Sequence, residues 1–349
     1  MRALMTAIAM LALAAPASAG LLIYEGFNYS PGVNLTQLAG PPVVDGQNNG
    51  YATWGNFVGT PAQNANFHPI APGNISVPGL PAPASGSNSL SVTNNANGVM
   101  SRIALPNPNN TISTPGVGFY HSNSPTGPSV YFSFALQLTN GDEAVTGADY
   151  YFAGFHANGA TGGMGVGGGY GYMLHLRRSP NSAGSGADQE YELGVSKNNA
   201  SGWSLVWDEV NKFKADEPVF VVGEYKFVGA NPALTGQSDD VASLWVGKSG
   251  VNGVAYGSPT AVSATGPDVT GNSTTPVNIR NQVSSFWFRS DNNVPGDLLI
   301  DELRIGTSFA SVTVPEPATA LLALAGAATL GAYRRRRQHR AENVGRKND

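Results

Sequence analysis

The chain has 349 residues, of which only 12% are charged, with 44 glycines, 24 prolines and no cysteine. Charge is about half as frequent as in ordinary soluble domains, and glycine and proline are abundant, which excludes a coiled coil or long-helix protein. A disulfide scaffold, a thiolate metal site and a cysteine nucleophile are excluded outright.

Arg2 opens the chain, 3–15 is apolar except for Thr6, Pro16 breaks the run, and Ala17-Ser18-Ala19 precedes Gly20. That layout predicts a secretory signal peptide over 1–19, cut by signal peptidase between Ala19 and Gly20. The other reading of the same run is a short buried helix. Between 20 and 312 there are 11 basic and 20 acidic residues, net −9. Such a body disfavours nucleic acid and anionic lipid, and its length suits one large domain.

Residues 39–86 carry eight prolines and little alternation, so they are expected to form an irregular excursion from the domain. Period-two alternation begins at Val130, with Phe132, Phe134, Leu136 and Leu138 on one face. It recurs at Tyr170, Tyr172, Leu174 and Leu176, alternating with Gly171, Met173, His175 and Arg177, and again at Tyr191, Leu193 and Val195. Trp203, Leu205 and Trp207 share a face and read as core. Further strands are expected at 219–228, 241–246, 284–289 and 298–305. No helix of ten residues is expected between the ends. Many short antiparallel strands between Gly, Pro, Asn and Ser clusters predict an all-β, two-sheet jelly-roll sandwich over 20–312. The segments LLIYEGFNY (21–29), VFVVGEYKFV (219–228), DDVASLWV (239–246) and LIDELRIGTSF (299–309) resemble exported proteins with concanavalin-like, laminin-G-like domains. That resemblance implies a fold shared by lectins, carbohydrate-binding modules, adhesive domains and glucanases, and leaves the activity open.

The tail, 313–349, has three parts: Pro315-Glu316-Pro317, an uncharged run over 318–333, and a basic end that opens with Arg334, Arg335, Arg336 and Arg337. As a helix the uncharged run spans ~24 Å, short of the ~30 Å hydrocarbon core. It suits a transient insertion into the inner membrane, with the arginines cytoplasmic and the body outside. This arrangement resembles the PEP-CTERM sorting signal. The resemblance implies cutting near Glu316 by an exosortase-type enzyme and delivery to the cell surface or an extracellular polysaccharide matrix. An ordinary membrane anchor is the other reading of the tail.

Two tryptophans stand on polar strand faces. Ala242, Leu244 and Val246 leave Trp245 beside Ser243, while Phe286 and Phe288 leave Trp287 between Ser285 and Arg289. Both are expected to point away from the inter-sheet core, either as a platform for stacking sugar rings or as a second small core under the 39–86 excursion. With His175, Arg177 and Arg289 they form the candidate ligand-binding set, a polysaccharide being the expected ligand.

Catalytic motifs are sparse. A glucanase of the resembled fold would show Glu-x-Asp-x-x-Glu or Glu-x-Asp-x-Glu, and neither occurs; Glu190 and Glu192 are the same-face carboxylate pair. Of the two readings of Glu190 and Glu192, catalytic pair or solvated polar strand face, the solvated face is the preferred one. Gly-x-Ser-x-Gly and His-Glu-x-x-His are absent, and the Gly163-x-Gly165-x-x-Gly168 match lies in a glycine-rich stretch with no helix after it. Scattered histidines argue against zinc. Asp239, Asp240 and Asp291 are oxygen-rich turn residues that could hold calcium or simply cap turns. Asp301, placed by alternation on an apolar face with Leu299, Leu303 and Ile305, is expected to be a structural carboxylate bonded to backbone amides or an arginine. The expectation is therefore an exported, surface-sorted, non-catalytic protein that binds glycan or serves structurally. A divergent glycoside hydrolase or polysaccharide lyase is the alternative.

Overall fold

The computed structural model describes residues 20–35, 54–56, 68–78, 88–93, 99–105, 120–121, 129–139, 150–157, 169–179, 190–197, 205–228, 239–248, 259–264, 268, 282–290 and 297–313. Residues 20–313 form one compact unit. In chain order its strands are β1 (Leu21–Glu25), β2 (Trp54–Asn56), β3 (Ile70–Ala71), β4 (Ser89–Val92), β5 (Val99–Ala104), β6 (Tyr120–His121), β7 (Ser129–Leu138), β8 (Tyr150–His156) and β9 (Tyr170–Arg178). They continue as β10 (Glu190–Ser196), β11 (Val206–Lys214), β12 (Val219–Lys226), β13 (Val241–Gly247), β14 (Ala261–Ser263), β15 (Gln282–Val283), β16 (Ser285–Ser290) and β17 (Leu298–Gly306), followed by one short helix, α1 (Phe309–Thr313).

Two antiparallel sheets form the sandwich. One runs β14-β13-β12-β7-β17-β4-β3, with β1 also pairing β17; the other runs β11-β10-β9-β8-β16-β5-β2. The first and last strands meet in the middle of the first sheet, where Leu21 pairs with Gly306. The apolar sets picked out by alternation face each other between the sheets. Phe132 of β7 packs 5.0 Å from Tyr172 of β9 and 5.1 Å from Phe286 of β16, centroid to centroid. Phe134, Leu136, Leu138, Leu174, Leu176, Leu193, Val195 and Phe288 extend this core. The Phe132 ring needs Gly223 on the neighbouring strand, because a Cβ there would lie 2.2 Å from its Cε1 atom.

The excursion expected over 39–86 contributes to both sheets. Trp54 in β2 stacks on Phe288 at 5.8 Å, and Ile70 in β3 pairs with Leu90 in β4. Bulges explain two side chains whose face alternation misassigns. β17 shifts register between Asp301 and Arg304, where Glu302 has φ 56°. Leu303 and Ile305 therefore face the inter-sheet core, whereas Asp301 stays with Leu299 on the outer face. A second register shift between Phe155 and His156 turns Tyr170 out of the core that holds Tyr172.

Candidate functional site

The outer faces of the two sheets differ in kind, and each holds one of the two tryptophans. On the eight-stranded sheet, Tyr131, Ala135, Phe220, Val222 and Trp245 point away from the sandwich, and Ile75, Val77, Phe309 and Val312 cover them. Helix α1 is fixed there by reciprocal caps, Ser311 N donating to Ser308 Oγ at 3.1 Å and Ser308 N to Ser311 Oγ at 3.3 Å. Ser133 Oγ donates to the Val312 carbonyl. Asp301 anchors the other cover by accepting from Ile75 N at 3.1 Å and Glu302 N at 2.8 Å. Trp245 is consequently 4% exposed. The expectation that it points away from the inter-sheet core matches its register opposite Val222. The open stacking platform does not materialise, because a second apolar layer covers the ring.

The outer face of the seven-stranded sheet is chemically richer. Register places Trp287 opposite Arg102 of β5 and Gly154 of β8, Tyr151 opposite His175, and Arg177 opposite Glu192. Trp207 lies opposite Gly194 and Lys212 opposite Glu192. Four of the five candidate ligand-binding residues, Trp287, His175, Arg177 and Arg289, thus share one face, and Trp245 belongs to the other sheet. Tyr151 sits at the centre of this face. Its ring centroid is 5.8 Å from those of Tyr170 and His175 and 5.9 Å from that of Trp287. The Arg289 guanidinium carbon lies 4.2 Å from the Tyr151 centroid, and that of Arg177 lies 4.2 Å from the Trp207 centroid. Trp207 is therefore an outer-face residue and not core; Leu205 is half-buried, and Trp203 lies outside the described residues.

Burial is graded across this face. Trp287, His175, Arg102 and Met173 are fully buried, while Tyr151, Arg177, Arg289, Trp207 and Lys212 are half-buried. Trp287 is thus no more an open platform than Trp245, although its indole Nε1 has no hydrogen-bond partner. Burial pulls His175 down to about 3, so the ring is neutral at neutral pH; its Nε2 is 2.8 Å from Ser196 Oγ. Burial also lowers Arg102, to about 10, leaving it charged; its Nη1 is 3.4 Å from His156 Nδ1. Glu192 accepts from Arg177 Nε at 3.0 Å and Nη2 at 2.8 Å and from Ser179 Oγ at 2.8 Å, with Lys212 Nζ at 3.5 Å. Burial alone would raise this carboxyl, but those hydrogen bonds and charges hold it below the usual carboxylate range.

Glu190 shares the face with Glu192 but sits at its end, in a shallow cleft with Lys212, Lys214, Asp216, Glu217 and Lys248. The sequence did not single out Arg102, Tyr151, Tyr170 or His156 as site residues. Tyr151 and His156 lie in a strand whose aromatic and glycine run, YYFAGFH, shows no alternation.

Of the calcium candidates, Asp239 and Asp240 come together with Asp268, their carboxylate oxygens within 4.8 Å of one another; Asp291 lies outside the described residues. Protein groups already engage this cluster. The buried Lys197 ammonium is 2.8 Å from Asp268 Oδ1, Asp240 N donates to the same oxygen, and Asp240 accepts from Tyr225 OH and Val228 N. An internal cation, a tyrosine hydroxyl and backbone amides thus engage Asp268 Oδ1 and both Asp240 carboxylate oxygens. The glycine stretch 163–168 lies outside the described residues, as do Ala19, Pro315, Glu316, Pro317 and Arg334 to Arg337. Among the described residues no helix is long and apolar enough to cross a membrane.

Among curated proteins, none matches the chain. Solved structures of low identity share its outline. They include an alginate lyase, Aly36B, in complex with an alginate tetrasaccharide (13% identity, 81% of this chain and 95% of that one, TM-score 0.40). The globular domain of T. cruzi calreticulin (10%, 90% and 98%, 0.41) and the exoplasmic/lumenal domain of VIP36 in a Ca2+/Man2-bound form (9%, 75% and 89%, 0.36) are others. Likeness at this level carries no argument about activity. The sorting tail is different: residues 313–337 match the PEP-CTERM protein-sorting motif, which implies processing by an exosortase-type enzyme and marks the chain as an exported protein sorted to the cell envelope.

Proposed function

We propose that this is an exported, surface-sorted sandwich protein that binds extracellular polysaccharide, without catalysis, through the outer face of its seven-stranded sheet. The observation that carries this reading is the grouping of the half-buried Tyr151, Trp207, Arg289 and Arg177 across adjacent strands, backed by the buried Tyr170, Trp287 and His175. Flat rings with polar groups between them suit pyranose faces and hydroxyls. The carboxylates of this face speak against hydrolysis. A retaining or inverting glycosidase needs one carboxylic acid to protonate the leaving oxygen, and the Arg177 and Lys212 charges keep Glu192 ionised. Transient insertion of 318–333 into the inner membrane and removal of 1–19 belong to the same reading.

The test is a glycan array probed with the exported protein, with and without calcium, with the host's own matrix polysaccharide among the probes. Binding without new reducing ends or unsaturated products supports the reading. Depolymerisation would transfer the site to the lyase or hydrolase alternative, and no binding to any glycan would leave a structural role.

A further inference from the structure

Charge is distributed unevenly over the body. Residues 20–312 are net −9, yet among the described residues the outer face of the seven-stranded sheet between β5 and β11 carries Arg102, Arg177, Arg289, Lys212 and Lys214 against Glu190 and Glu192. The cleft around Glu190, at the end of this face, is also lined by Lys212, and in it Glu217 is 2.9 Å from Lys248. Cations concentrated on one aromatic face of an acidic protein draw anions to that face and repel them elsewhere.

The two half-buried arginines are also held in a particular way. Arg289 lies on Tyr151 and Arg177 on Trp207, each 4.2 Å from the ring centroid. A guanidinium laid on a ring keeps its charge and has little side-chain freedom left to lose when a ligand binds. Its donor edges match a carboxylate or sulfate in two-point geometry. Arg177 gives its Nε edge to Glu192, which fixes the side chain and leaves the Nη1 end directed elsewhere. The two rings flank His175, whose centroid is 5.8 Å from that of Tyr151 and 6.2 Å from that of Trp207. Two arginines laid on separate rings on either side of His175 suit a polymer with repeated anionic groups lying across the strands.

We infer that the ligand of this face is a linear polyanionic polysaccharide, with carboxylate or sulfate groups on successive sugars engaging Arg289 and Arg177. The inference rests on the glycan-binding reading above and adds the class of glycan. The charge it uses sits on arginines, so recognition depends on salt.

The experiment measures binding of the full chain, in mild detergent, to four polymers at low and raised salt: a polyuronate, the same polyuronate with its carboxyls reduced to alcohols, a sulfated glucan and a neutral glucan. Expected are tight binding of the polyuronate, a fall of at least ~tenfold on carboxyl reduction, and weakening with salt. Binding of the sulfated glucan alongside the polyuronate assigns recognition to charge in general, whereas polyuronate alone assigns it to carboxylate geometry; both support the inference. Arg289→Gln and Arg177→Gln should each weaken polyuronate binding by about tenfold and erase much of the salt dependence, and Arg289→Lys, which keeps the charge and most of the packing, should fall between. Equal binding of the native and the reduced polymer, or preference for the neutral glucan, overturns the inference and leaves glycan binding standing. If none of the four binds, both fail. The polymer comparison uses the unaltered chain, so it decides the matter even where a variant folds poorly.

Discussion

Trp245 meets Phe309 edge-on, with ring centroids 5.2 Å apart and planes at 68°. A five-residue helix at the end of the body therefore caps an aromatic on the outer face of the eight-stranded sheet, and the pair belongs to stability and not to recognition. Trp245→Ala is expected to destabilise the body by ~3 to 5 kcal/mol, as emptying a buried tryptophan site does. Phe309→Ala should cost somewhat less, because the side chain removed is smaller and Phe309 is 8% exposed against 4% for Trp245. Denaturant midpoints check both, and polysaccharide affinity of the folded fraction should be unchanged. A Trp245→Ala variant with full stability and lost glycan binding would return the platform role to this residue.

The sequence pattern located β7, β9, β10, β12, β13, β16 and β17 to within a few residues, because these strands, apart from β12 with Phe220 and Val222 on its outer side, are apolar on one side and largely polar or small on the other. It also set Trp245 and Trp287 on outer faces. Which sheet each strand joins is a long-range property that period two does not encode, so the two tryptophans looked like one platform. The bulges at Asp301 and at the start of β9 each insert a residue and reverse the faces beyond them, and nothing local in the sequence marks either position. Short strands such as β2 and β3 lie in a proline-rich stretch whose pattern is weaker than its turn signals.

Gly194 lies directly under Trp207. A Cβ at Gly194 would sit 2.6 Å from Trp207 Cε3 and 2.9 Å from Cδ2, so the ring lies flat on the sheet only because this residue lacks a side chain. Trp207 is half-buried and can lift, carrying Arg177 with it. Gly194→Ala is expected to leave the fold intact at a cost of ~1 to 3 kcal/mol. Tryptophan emission should shift and polyuronate binding should weaken. Unaltered emission with unaltered affinity would show that the Trp207 position is immaterial to the site.

Glu192 ties Arg177, Ser179 and Lys212 into one cluster. Its folded-state pKa lies below the ordinary glutamate value, so its stabilising contribution is present above about pH 4.5 and is lost as pH falls through the folded value. Glu192→Gln should remove that part of the acid sensitivity and, by releasing Arg177, cost ~1 to 3 kcal/mol at neutral pH. Unfolding curves collected from pH 3 to pH 7 on both proteins test this; parallel profiles would assign the acid response to other carboxyls.

Asp301 has the opposite sign. Its carboxyl is buried on the outer face of the eight-stranded sheet, and desolvation, reinforced by the charges of Glu302 and Glu25, raises it from 3.8 to about 7 against the backbone amides of Ile75 and Glu302. Between pH 4 and pH 7 the unfolded chain has lost this proton while the folded body keeps it, so stability falls as pH rises through that window and levels off above it. The linkage is on the order of 4 kcal/mol. Asp301→Asn cannot ionise, but its amide nitrogen faces one of the two N–H donors, which forfeits a hydrogen bond worth ~1 kcal/mol. The variant should therefore be the less stable protein at pH 4 and the more stable one at pH 8, with the curves crossing between. Glu25, also raised by burial, adds a slope of the same sign to both proteins. Urea midpoints taken at half-unit pH intervals locate the crossing. Two curves that stay parallel from pH 4 to pH 8 would mean that Asp301 is ionised in the folded body throughout, and that Ile75 is held over Trp245 by a charged carboxylate.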